Sequence, residues 1–203
     1  EGAAERLPLP ERIQSTSVFF AGTPMPLLFA SDGQVNAMIP YSINANTRHH
    51  LVLQRGPTLS LPVSVTVAEA HPSVFLNPVE GALRQGHVYL PSEEGLRLAG
   101  PTNPARAGDA LVIYASGLGS VAPAVSAGEA APGTEPLART TLSVRATVSG
   151  VEASVVFSGL APGFSGLYQI NAVLPAGLTA DDGAALVLTA GGQSSQPVTL
   201  AVR

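Results

Sequence analysis

The chain of 203 residues has no cysteine, no tryptophan and no lysine. Without cysteine it can form no disulfide, offer no thiolate nucleophile and hold no sulfur-ligated zinc. The compartment stays open on that count, because many exported bacterial proteins also lack cysteine. With no lysine, all ten cationic side chains are arginine and stand against fourteen carboxylates, for a net charge of −4. That balance provides no extended basic face for a phosphate backbone, so nucleic acid is not an expected partner. Charged residues are only 12% of the chain, which argues against a coiled coil and against a charge-rich disordered segment. No run approaches the roughly 18 apolar residues of a membrane-spanning helix, and no cationic-then-apolar signal segment opens the sequence. A start at Glu1 rather than Met leads us to expect a mature or trimmed product.

What the chain does have is turn-formers, 21 Gly and 18 Pro, and an internal repeat. Residues 17–67 and 145–202 carry the same pattern twice. Gly22 precedes Phe29 as Gly150 precedes Phe157, at an offset of 128 between the copies. Gln34-Val35-Asn36-Ala37-Met38-Ile39-Pro40 answers to Gln169-Ile170-Asn171-Ala172-Val173-Leu174-Pro175, now at an offset of 135. The same offset relates Leu51-Val52-Leu53 to Leu186-Val187-Leu188, Ser60 to Ser195, and Pro62-Val63 to Pro197-Val198. The change of offset marks an insertion in the second copy within residues 159–168, which reads as a loop between strands.

A fixed repeat determines architecture before any single residue does. Period-two alternation, as in Val63, Val65 and Val67 or Val198, Leu200 and Val202, predicts half-buried strands. Clusters such as Asp32-Gly33, Ala161-Pro162-Gly163 and Asp181-Asp182-Gly183 punctuate them. Strands are expected at 18–21, 27–30, 34–39, 50–54, 87–90, 109–116, 142–149, 154–158, 167–174 and 185–189, besides the two alternating runs. The fold expected is all-β: two tandem immunoglobulin-like β-sandwich domains, residues 1–70 and 71–203, joined near 69–72, where His71-Pro72 restricts the backbone.

The repeat also exposes a deficit. The apolar strand at 110–116 and the segment 128–137 lie upstream of the second copy, whereas only residues 1–9, which resemble 128–137, lie upstream of the first. The first domain is therefore expected to lack its N-terminal strand or strands. A sandwich missing a strand leaves unpaired N–H and C=O groups and a strip of uncovered core. A lost upstream segment, a strand from another chain or a local rearrangement would have to fill it.

Several of these motifs together resemble the Solibacter-type C-terminal domain, an uncharacterised family of large secreted acidobacterial proteins. They are Pro26-Leu27-Leu28-Phe29-Ala30-Ser31, the Gln34 motif extended to Tyr41, Asn103-Pro104-Ala105-Arg106-Ala107-Gly108-Asp109, Ile113-Tyr114-Ala115-Ser116-Gly117-Leu118-Gly119, and residues 159–171. The resemblance implies export to an extracytoplasmic location and a place beside repeat or adhesion-like regions. It implies no established enzymatic activity, and it includes a strand-like stretch before the point corresponding to Glu1.

Candidate sites are few. Gln34 with Asn36, and Gln169 with Asn171, are spaced to project from one strand face. Their repetition points to amides that tie down neighbouring loop backbone, the other reading being a sugar- or peptide-binding groove. His49, His50, His71 and His87 are not clustered, and adjacent His49 and His50 point to opposite faces, so no metal is expected. Asp32-Gly33 and Asp181-Asp182-Gly183 lack an alternating acidic calcium loop and read as turns. Ser116-Gly117-Leu118-Gly119 fits neither a nucleophile elbow nor a dinucleotide loop. Arg106 could hold a partner's carboxylate, although a contact with Asp109 or a loop carbonyl is the plainer reading. Phe19-Phe20 puts a ring on each face of a strand, and Phe164 sits in the inserted loop between glycines, so all three are candidate interaction residues.

The residues together predict a non-enzymatic exported structural or docking module without a cofactor. It would assemble with a protein partner or with itself, by strand addition to the first domain, as part of a cell-envelope or membrane-protein complex. The alternative is a carbohydrate- or peptide-binding adhesion module.

Overall fold

The computed structural model describes residues 1–78 and 84–203. It is all-β, with antiparallel ladders between its strands and two isolated parallel bridges, Gln85 to Thr199 and Ala105 to Val202, and with no helix among the described residues. The chain divides into two compact units. Unit one comprises Glu1–Glu69, Ala122–Ala138 and Ala161–Gly166, and unit two comprises Ala70–Val121, Arg139–Leu160 and Leu167–Arg203. A single cut at residue 70 separates the repeats, but two later stretches also belong to unit one. One of them holds most of the insertion in the second copy.

Unit one contains β1 (Gly2–Ala3), β2 (Thr16–Phe20), β3 (Thr23–Pro24), β4 (Leu27–Ala30), β5 (Val35–Ala37), β6 (Thr47–Arg55), β7 (Thr58–Leu59) and β8 (Val63–Val67). One sheet runs β1-β4-β5 and the other β3-β2-β6-β7, with β8 also paired to β6. Their core is small: Ile13, Val18, Phe20, Met25, Leu27 and Ala30.

The remaining strands are β9 (Ser73–Val74), β10 (Val88–Ser92), β11 (Gly95–Leu98), β12 (Ala110–Ser116), β13 (Val121–Ala122), β14 (Arg139–Thr140), β15 (Val144–Val148), β16 (Val151–Leu160), β17 (Tyr168–Val173), β18 (Asp181–Ala190), β19 (Gln193–Ser194) and β20 (Val198–Val202). Most of them follow the order β11-β10-β12-β17-β16-β15-β18-β19, with β20 on β18, β9 on β12 and β14 on β16 off that path. The long β16 pairs with β15 through its first residues and with β17 through its later ones, its register shifting between Val155 and Phe157.

The sequence repeat is a structural repeat down to individual bonds. Ala21-Gly22 and Ser149-Gly150 both place two successive residues at positive φ, 52° and 79° in the first turn and 47° and 81° in the second. Such a two-residue turn matches the twist of the strands it joins. The register shift between Leu27 and Phe29 answers to that between Val155 and Phe157. Leu51 faces Val63 as Leu186 faces Val198. The Ser60 hydroxyl accepts the Leu53 N–H at 3.0 Å, and Ser195 accepts the Leu188 N–H at 3.0 Å.

These two serines differ in surroundings: Ser195 is buried and Ser60 is exposed. Removing Ser195 strands a buried N–H, which typically costs about 1–3 kcal/mol, whereas water replaces the Ser60 hydroxyl. Ser195→Ala is expected to lower stability by about 1.5 kcal/mol and Ser60→Ala by less than about 0.5 kcal/mol, as read from urea midpoints.

Candidate docking site

The two copies share a pattern but not a degree of enclosure. In unit two, Ile170, Ala172, Leu186, Leu188, Val198, Leu200 and Val202 are all buried. Their counterparts Val35, Ala37, Leu51, Leu53, Val65 and Val67 are only partly buried around the small core. The contrast is widest at Val63, 56% exposed where Val198 is 1%. Each half-covered aliphatic side chain forgoes roughly 1 kcal/mol of burial.

The cause is missing neighbours. In unit two, β17 is paired on one side with β16 and on the other with β12, over the full run from Ala110↔Val173 to Ala115↔Tyr168. Leu111, Ile113 and Ala115 of β12 are fully buried and, at alternate positions, close the core from that side. In unit one, among the described residues, β5 is paired only with β4. Among the described residues no strand takes the place of β12.

The last strand of each copy tells the same story. Thr199 of β20 donates its N–H to Arg84 O and accepts the Gly86 N–H, while Ala201 accepts the Ala105 N–H. Gly86 fits there because a Cβ would lie 2.6 Å from Val198 Cγ2. The counterparts of Thr199 and Ala201 in β8 are Ser64 and Thr66, and among the described residues their outward backbone groups bond to no backbone partner. Beside that edge the copies also diverge in chemistry. Leu59 and Leu61, 61% and 87% exposed, stand where unit two has Ser194 and Gln196.

Local rearrangement supplies part of what the first copy needs. Gly2 and Ala3 pair with Ala30 and Phe29, and Ala4 N–H donates to Leu28 O at 2.9 Å. Leu9 N–H reaches Gly128 O, and Ala131 N–H reaches Phe164 O. The inserted loop touches Met38 just past β5, with Ser165 Oγ 3.5 Å from the sulfur. These contacts buttress β4 and the end of β5 without pairing its free side.

The candidate interaction residues fall into different settings. Phe20 is fully buried in the unit-one core, its ring centroid 5.5 Å from that of His49, which removes it from any docking surface. Phe19 is the ring on the other face, half-buried and opposite Val52. Phe164 is 55% exposed in unit one. Arg106 is exposed, but the contact with Asp109 is not the one expected: the Asp109 carboxylate accepts the Arg106 backbone N–H at 2.8 Å, and the guanidinium takes no part. A short carboxylate can cap the loop that its own chain turns through.

The paired amides bond to each other rather than to loop backbone. Gln34 Nε2 donates to Asn36 Oδ1 at 2.6 Å, and Gln169 Nε2 to Asn171 Oδ1 at 2.9 Å. The acidic turns are occupied too. Asp32 pairs with Arg55, whose hydrogen bond and then charge hold its carboxyl below the ordinary aspartate range. Asp181 accepts the Gly183 N–H at 2.8 Å and Asp182 pairs with Arg203. Among the described residues no three His, Asp or Glu side chains come together as a metal ion would require.

His87, Tyr89 and Tyr114 form an aromatic row that the sequence reading missed. The Tyr89 hydroxyl lies 2.8 Å from His87 Nδ1, and Tyr114 meets the Tyr89 ring edge-on at 5.8 Å between centroids. Burial, and then Tyr114, push the Tyr89 phenol up. Only the pairing of β10 with β12 brings the tyrosines together, so no local spacing signals it. A shallow depression of about 260 Å³ lined by Leu90, Pro91, Ser92, Arg97, Asn103, Asp109 and Ala110 lies in unit two. It is smaller than the roughly 300–1,000 Å³ typical of small-molecule sites.

Neither a protein-family model, nor a curated protein, nor a solved structure matches the chain.

Proposed function

We propose that this chain is a non-enzymatic docking module, in which unit two is a self-sufficient β-sandwich and unit one is a receptor that assembles with another protein. One observation carries the reading: positions in the same register are buried in unit two and partly exposed in unit one. An open sheet edge beside exposed apolar side chains is a template for pairing, and proteins that do not use such an edge usually blunt it. Here the edge beside β8 carries Leu59, Leu61 and Val63 instead of charges. The resemblance to the Solibacter-type C-terminal domain adds an extracytoplasmic location beside repeat or adhesion-like regions, and the open edge adds a place in a larger envelope or membrane-protein assembly. No helix of the described residues is long and apolar enough to cross a membrane.

A carbohydrate- or peptide-binding role for Gln34, Asn36, Gln169 and Asn171 has less support, because each pair turns one Gln N–H onto its own Asn carbonyl rather than outward. The test is native mass spectrometry on the chain isolated gently from its source. The docking reading expects it in a complex well above 20.6 kDa. A stable species at 20.6 kDa alone at working concentration contradicts it.

A further inference from the structure

Resting on the docking reading, we infer that the free side of β5 receives a strand from another protein, antiparallel to β5, with large apolar residues at alternate positions. The argument comes from the occupied copy of the same site. In unit two the strand on this side of β17 is β12, Ala110-Leu111-Val112-Ile113-Tyr114-Ala115-Ser116. Its Leu111 lies opposite Ala172 and its Ile113 opposite Ile170. The offset of 135 carries those positions onto Ala37 and Val35.

An incoming strand in that register places its own apolar pair opposite Ala37 and Val35 and covers the partly exposed row of Leu51, Leu53, Val65 and Val67. Its backbone fills the free side of β5, and its alternate side chains fill the gap in the core. Strand addition of this kind takes affinity from main-chain bonds and specificity from alternating pockets. The donor is an extended segment of about seven residues, uncharged at every second position.

The chain itself provides the probe. A synthetic peptide of residues 108–117 carries the β12 sequence, and hydrogen–deuterium exchange on the intact 203-residue protein reads where it binds. At about one hundred times its Kd, the peptide should slow exchange of the edge amides of β5 about a hundredfold. Protection should extend to residues 51–53 and 65–67, and a peptide carrying Leu111→Asp and Ile113→Asp should give none. Equal protection by both peptides, protection confined to β8, or none at any concentration overturns the inference. So does β5 protection that grows with protein concentration while the peptide adds nothing, which would make a second copy the occupant. Native mass spectrometry separates this from the docking reading. A complex that forms although the peptide fails removes only the β5 assignment, whereas a monomer that binds the peptide removes only the proposed assembly.

Discussion

Gly117→Ala is expected to destabilise unit two by about 3 kcal/mol or more, because the position combines two obstacles. Its φ is +74°, and a Cβ would lie 2.0 Å from the backbone oxygen of His71. That neighbour cannot swing aside as a flexible side chain would, since His71 N–H donates to Gly117 O at 2.7 Å and fixes the two backbones together. Gly150→Ala separates the obstacles. Gly150 has φ +81° with open space around it, so alanine there meets only the backbone cost of about 1–2 kcal/mol. Urea unfolding followed by tyrosine fluorescence checks both, because Tyr89, Tyr114 and Tyr168 lie in unit two and only Tyr41 lies in unit one. Equal effects for the two variants would contradict the close approach at Gly117.

Truncating equivalent leucines should give unequal losses. Leu188 is completely buried, and Leu188→Ala should cost about 3–4 kcal/mol through lost burial and an unfilled cavity. Leu53 occupies the same place in the repeat but is only partly buried, so solvent can occupy part of the space its side chain leaves. Leu53→Ala should cost about 1–1.5 kcal/mol. The comparison is informative because chemistry, strand register and serine-capped neighbour are shared, leaving enclosure as the variable. Thermal and urea denaturation of both variants measure it. A loss of 3 kcal/mol or more at Leu53 would mean that the unit-one core is as closed as that of unit two.

Much of this fold was legible in the residues. The repeat gives paired strands whose register agrees from Leu51↔Val63 to Leu186↔Val198, because alternation and turn chemistry act over a few residues. Strand 27–30 appears at the bounds read from sequence, and that expected at 109–116 differs by one residue. The β6 strand is longer than expected, running from Thr47 to Arg55, because its first residues pair with β8 and its last with β7.

Long-range assignments were not legible. Ala122–Ala138 and Ala161–Gly166 follow the repeat boundary in sequence yet pack in unit one, which depends on bonds such as Leu9 to Gly128 between residues far apart in the chain. Alternation also cannot say which face of a strand is inward. It separated Phe19 from Phe20, and only the position of Ile13, Val18 and Leu27 makes Phe20 the core ring. The deficit in the first copy was visible as absent sequence, whereas its consequence, half-covered leucines and valines along β6 and β8, required the structure of both copies.

The most direct test is residue-resolved hydrogen exchange on the dilute protein, comparing Ser64 with Thr199 and the edge amides of β5 with those of β17. The Thr199 N–H is bonded to Arg84 O, and among the described residues Ser64 has no such backbone partner. An open first unit predicts slow exchange at Thr199 and within β17, with Ser64 and the free side of β5 exchanging close to the rate of unstructured chain. Equal protection of the two copies in the monomer would contradict it, because unit one would then be closed by its own residues and would have no edge to offer.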